Sequence, residues 1–70
     1  MKKNIHFIEE NKGPILYTVE EASRILNLKI SRIRKAIFKR EINYIKLGAL
    51  VRFRRLDLDA FIERNLISCN

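Results

Sequence analysis

Hydrophobic positions in this chain recur near every 3.6 residues in three places and every two residues in one, and that order predicts its elements. Val19, Ala22, Ile25 and Leu26 fall on one helical face, so a first helix is expected over residues 19–26. Thr18 with Glu21 three residues on has the capping-box pattern, in which hydroxyl and carboxylate each accept the other residue's backbone amide. Glu20 and Glu21 also complement the positive end of the helix dipole. Asn27 is the expected stop, because Asn tolerates a left-handed backbone better than other residues with a Cβ. Leu28 then turns inward. Ile30, Ile33, Ala36 and Ile37 form the next stripe and predict a second helix from Lys29 or Ile30 to about Arg40. Ser31, Lys35, Phe38 and Lys39 lie opposite that stripe, with Arg32 and Arg34 on its two shoulders. Two short helices joined this tightly form a helix-turn-helix.

After Arg40 the period changes to two. Tyr44-Ile45-Lys46-Leu47 and Leu50-Val51-Arg52-Phe53-Arg54 alternate on either side of a tight Gly48-Ala49 turn, the pattern of a hairpin wing. Ile45, Leu47, Val51 and Phe53 are expected to face the core, leaving Lys46, Arg52 and Arg54 outside. A third helix is expected over about 56–65, with Leu58, Phe61 and Ile62 inward, Asp57 and Asp59 in its first turn and Arg64 near its end. Before the first helix, Ile5, Phe7 and Ile8 suit a short strand or flap, and Gly13-Pro14 is a breaker pair that marks a boundary. The expected organisation is an N-terminal arm (1–16), a domain (17–65) and a C-terminal tail (66–70). The fold class is mainly α with a small β-hairpin: a winged helix-turn-helix with a third helix.

Charge gives that fold a polarity. Residues 29–55 hold ten of the fifteen basic side chains and one acid, Glu41, so this block carries +9 within a net +7. Threaded with isoleucines, it reads as a folded element with one strongly positive face, and the partner that needs such a face is nucleic acid. Seventy residues, 47% hydrophobic, suffice for one small domain with a core. Cys69 is the only cysteine and His6 the only histidine, so neither an internal disulfide nor a metal-ligand set is expected. His6 reads as a surface residue and Cys69 as a bystander thiol in a reducing compartment. No apolar run approaches the ~18 residues of a membrane span, and no signal-peptide core is seen. The expected location is the cytoplasm, on the nucleoid. No base–nucleophile arrangement or phosphate-cradling glycine loop is present, so no enzymatic activity and no cofactor are expected.

The opening YTVEEASRIL, the basic run SRIRKAIFKR, the hairpin YIKLGALVRF and the closing RLDLDAFIER, in this order and spacing, resemble the excisionase-type, MerR-like winged helix-turn-helix domains. Phage and plasmid excisionases and AlpA-like small regulators belong to that family. The resemblance runs without a gap over about 17–63. It implies binding to double-stranded DNA, with the second helix in the major groove and the wing on the backbone or minor groove. By position it makes Ser31, Arg32, Arg34, Lys35 and Lys39 groove or phosphate candidates and assigns Lys46, Arg52 and Arg54 to the wing. It implies an excisionase-like recombination directionality factor or a small transcriptional regulator. A recombinase or integrase, or further copies of the chain on DNA, would be its protein partners, and no small-molecule effector is expected.

The chain also departs from the pattern. The family usually has Gly where Asn27 and Arg40 stand, and Ser or Thr where Lys29 stands; Lys29 has no side-chain oxygen with which to cap a helix. The wing tip, often doubly basic in relatives, reads Ala49-Leu50, which suits an apolar contact such as a neighbouring copy. Phe38 falls on the exposed side of the second helix, to contact DNA sugars or to pack on a partner or the wing. Tyr44 reads as a cover at the sheet edge or a phosphate hydrogen-bond donor. The alternative function is a protein-interaction adaptor docking through the wing and Phe38, Leu50, Leu66 and Ile67.

Overall fold

The computed structural model describes residues 15–69. The strand expected at Ile5, Phe7 and Ile8, the surface position of His6 and the Gly13-Pro14 boundary lie outside the described residues. In chain order the elements are β1 (Leu16–Tyr17), α1 (Val19–Leu26), α2 (Ile30–Phe38), β2 (Ile45–Leu47), β3 (Leu50–Arg54) and α3 (Arg55–Arg64). This is the winged helix-turn-helix, with one short strand added before the first helix.

Local chemistry fixes both ends of α1. The Glu21 amide donates to the Thr18 hydroxyl at 3.0 Å, and the Thr18 amide donates to the Glu21 carboxylate at 2.8 Å, completing the capping box. Asn27 closes the helix in the left-handed region at φ 57°. Its amide reaches the Arg24 carbonyl and the Leu28 amide reaches that of Ser23 at 2.9 Å, the paired bonds of a Schellman stop. The second helix ends the same way. Arg40 stands at φ 59°, its amide bonding to Ile37 and the Glu41 amide to Ala36 at 2.8 Å. Asn27 and Arg40, the two positions where the resemblance leads one to expect Gly, are thus the two non-glycine residues with positive φ among those described. At the start of α2, Lys29 makes no side-chain cap, and its carbonyl simply receives the first helical amides.

The sheet is antiparallel, ordered β1-β3-β2, with Leu16 opposite Arg54 and Tyr17 opposite Phe53. Ile45 pairs with Arg52, Lys46 with Val51 and Leu47 with Leu50 around the two-residue turn, where Gly48 takes φ 62°. Gly supplies the positive φ that the first loop position of a tight hairpin requires. This register corrects the expected facing of the wing. Directly opposed residues share a face of the sheet. Phe53 is fully buried and Val51 half-buried on the inner face, so Ile45, Leu47 and Leu50 lie on the outer face with Arg52 and Arg54. Leu47 and Leu50 are exposed, and Ile45 is half-buried. Lys46 shares the inner face with Val51 but sits on the edge strand and remains exposed.

The core gathers Val19 and Ala22 from α1, Ile33 and Ala36 from α2, Phe53 from β3 and Leu58 and Phe61 from α3. Ile42, in the loop after α2, is also buried, although no periodic pattern announces it. Three helical positions expected in the core are displaced. Ile25 is 41% exposed and Ile62 50% exposed, because Val19 with Ala22 and Leu58 with Phe61 already fill the inward arcs of their helices. Ile30 likewise sits at the rim of the α2 stripe, which is centred on Ile33 and Ala36.

Asp57 is the one buried charged residue of the described part, 2% exposed in the first turn of α3. It accepts the Arg54 amide at 2.9 Å, satisfying a donor ahead of the helix, and the Arg54 guanidinium at 2.6 Å. The expected acid at the helix start is therefore built into the core wall as well as answering the dipole.

Candidate nucleic-acid interface

Helix α2 presents Ser31, Arg34 and Lys35 to solvent, Lys39 follows at its C-cap, and the helix carries no acid. Ser31, Lys35 and Lys39 lie opposite the stripe of Ile33 and Ala36 and Arg34 on its shoulder, so burial of the isoleucine stripe itself aims them outward. The geometry gives a convex, positively charged helix surface with the hairpin beside it. Arg52 lies on the outer face of the wing, half-buried, with Nη1 donating to the Val51 carbonyl at 2.8 Å. Lys46 is exposed on the edge strand. Arg40, which the helical pattern did not single out, adds another exposed cation at the left-handed stop.

Two expected contact residues are already engaged within the protein. The Arg54 guanidinium holds Asp57 through Nε and Nη2, with Nε 3.2 and 3.1 Å from the two carboxylate oxygens. The hydrogen bond raises the Arg54 pKa further and keeps the Asp57 carboxyl below its usual range, against the opposing effect of burial. Arg32 is half-buried, its guanidinium 5.9 Å from the centroid of the Phe61 ring and Nη2 3.5 Å from Glu41 Oε1. Only the three-dimensional arrangement places Glu41 and Phe61 beside Arg32. The one sequence signal was Glu41's isolation as the sole acid of the basic block.

Between α2 and the wing runs an open groove of about 420 Å³. Val19, Ile37, Val51 and Ala49 form its apolar walls, Glu20, Arg34 and Arg52 its polar rim, and Phe38 and Leu50 flank it. Phe38 is 84% exposed, so it does not close onto the wing. Tyr44 is exposed beside the start of β2. Leu66 and Ile67 are exposed and line a second apolar groove with Leu26, Leu28 and Phe61. Among the described residues no group of acidic, His or Cys side chains is arranged to hold a metal ion.

A two-helix reader unit with a hairpin wing and a basic second helix defines the winged helix-turn-helix class of DNA-binding proteins. A family model described as a helix-turn-helix domain matches residues 16–66. The chain belongs to that helix-turn-helix family, the excisionase and AlpA-like one, and the membership implies a DNA-binding regulator whose partner is double-stranded DNA. No curated relative matches the chain.

Proposed function

We propose that the chain binds specific sequences in double-stranded DNA as an excisionase-like recombination directionality factor or a small transcriptional regulator. In this reading α2 enters the major groove, where Ser31, Arg34, Lys35 and Lys39 meet base edges and phosphates. Lys46 and Arg52 bring the wing to the backbone or minor groove, while Arg32 and Arg54 keep their contacts to Glu41, Phe61 and Asp57. The observation that carries the reading is the run of exposed cations on an acid-free α2 beside a basic wing. A domain this small covers little DNA, so specific occupancy calls for several copies or a partner recombinase. We read the chain as a binder without enzymatic activity, cofactor or small-molecule effector. No helix among the described residues is long and apolar enough to cross a membrane. We place the protein in the cytoplasm, on the nucleoid.

The test is binding to duplex DNA across a range of salt. Each phosphate neutralised steepens the log K against log salt slope by about 0.9, so roughly five contacts give about −4 to −5. A slope shallower than about −2 would overturn the reading. The adaptor alternative draws on the groove between Phe38 and Leu50. It leaves the concentration of positive charge on α2 and the wing without a purpose, which favours DNA.

A further inference from the structure

We propose that Arg32 is a positioning residue, anchored by Glu41, that sets the pose of α2 against α3 and does not itself read DNA. The proposal rests on α2 being the DNA-reading helix. Glu41 is the only acid among residues 29–55. An acid in a face built for phosphate works against binding, so its presence asks for a structural address, and the structure supplies one. The left-handed turn at Arg40 folds the chain back, its stop bonds running to Ile37 and Ala36. That reversal returns Glu41 along α2 to Arg32, where Oε1 lies 3.5 Å from Nη2. The Arg64 guanidinium donates to the Glu41 carbonyl, so the same residue is held from α3.

On its other side the Arg32 guanidinium stands over Phe61, a buried residue of α3, within cation–π range. Its Nη1 is out of water and has no hydrogen-bond acceptor. To reach a base or phosphate, this group would have to leave both ring and carboxylate. Helix α2 packs closely on α1 but only thinly on α3. Arg32 therefore bridges the weaker of its two helix contacts, using a planar cation that can stack and pair at once, which an ammonium does not reproduce. A small change in the pose of α2 moves Arg34, Lys35 and Lys39 together, so discrimination between sequences depends on a side chain that touches none of them.

The experiment compares the wild-type chain with Glu41→Gln, Arg32→Ala, Arg32→Lys, the Arg32→Ala/Glu41→Gln double variant and Lys35→Ala. The probes are a duplex selected from a random pool by the wild-type chain and a scrambled duplex of equal length, titrated across salt. Glu41→Gln and Arg32→Ala are each expected to cut the preference for the selected duplex by about five- to tenfold, the scale of a contact-pair coupling. Their salt slopes stay at the wild-type value, whereas Lys35→Ala loses about one unit. Arg32→Lys does not restore the preference, and the double variant is no worse than either single one. The proposal is overturned if Glu41→Gln tightens binding to both duplexes while Arg32→Ala lowers the salt slope by about one. That result would make Arg32 a DNA contact and Glu41 its competitor. Wild-type protein that binds both duplexes equally would defeat the reading of α2 instead. The anchor is then judged on free protein, where additive losses in melting temperature for Arg32→Ala and Glu41→Gln would overturn it. Should Arg32→Ala fail to fold, the near-isosteric Glu41→Gln decides by the sign of its effect on DNA binding.

Discussion

Leu47 stands directly opposite Leu50 across the hairpin, and the pairing turns both away from Phe53, which is fully buried on the other face. Two leucines at the tip of the wing thus contribute little to the fold. Leu50→Lys is expected to change stability by no more than about 0.5 kcal/mol, while Phe53→Ala costs ~3–5 kcal/mol. Thermal melts of the two variants check the register, and comparable losses would mean that the wing faces the other way.

The same logic separates two isoleucines that look alike in the sequence. Ile33 is completely buried, whereas Ile25 is only partly covered. Ile33→Ala should cost ~2–5 kcal/mol, a large part of the stability of a domain this size. Ile25→Ala should cost well under half of that. Denaturant titrations report both, and equal midpoints would refute the placement of Ile33 inside the core and Ile25 at its edge.

Asp57 makes stability depend on acid. Hydrogen bonding from the Arg54 guanidinium keeps its carboxyl below the usual range, although burial opposes this. Because the folded state holds the lower pKa, the unfolded chain takes up the proton first. The contribution is complete above the ordinary Asp range near 4 and is lost as pH falls through the folded value. Asp57→Asn should lose ~1–3 kcal/mol near neutral pH, because the Arg54 amide and guanidinium lose the charged, buried acceptor they share. It should also flatten the acid limb of a stability–pH curve measured by chemical denaturation. An acid limb identical to that of the wild type would remove Asp57 from the account.

Arg40 adopts a left-handed backbone that a side chain with a Cβ disfavours. Arg40→Gly is expected to relieve that strain. The gain is limited to about 1 kcal/mol, because glycine also loosens the unfolded chain. It removes one exposed cation too, so DNA affinity should fall modestly at low salt while the melting temperature holds or rises. A clear drop in melting temperature would show that the Arg40 side chain makes a contact worth more than the strain.

The helices and their punctuation were legible in the sequence because they are local. Thr18 and Glu21 are three residues apart, Asn27 needs only its own backbone freedom, and the Ile33–Ala36 stripe is a matter of helical period. The winged fold and the positive second helix follow from the same short-range information. What the tertiary structure decided lies where residues distant in sequence compete for one space. The two-residue turn fixes the pairing of Leu47 with Leu50, and with it which hairpin face meets the helices, so alternation alone assigned Ile45 and Leu47 to the wrong side. Ile25 and Ile62 lost their expected burial to neighbours that already filled the inward arcs. Ile42 gained burial without any periodicity, because the loop after α2 needs an anchor in the core. Arg32 and Lys35 look interchangeable as basic residues of α2. Only Arg32 is within reach of Phe61 and Glu41, and that depends on how the third helix and the turn at Arg40 close around it. Periodicity specifies which face of an element is apolar; packing decides which of its residues are covered and which charges are left over for DNA.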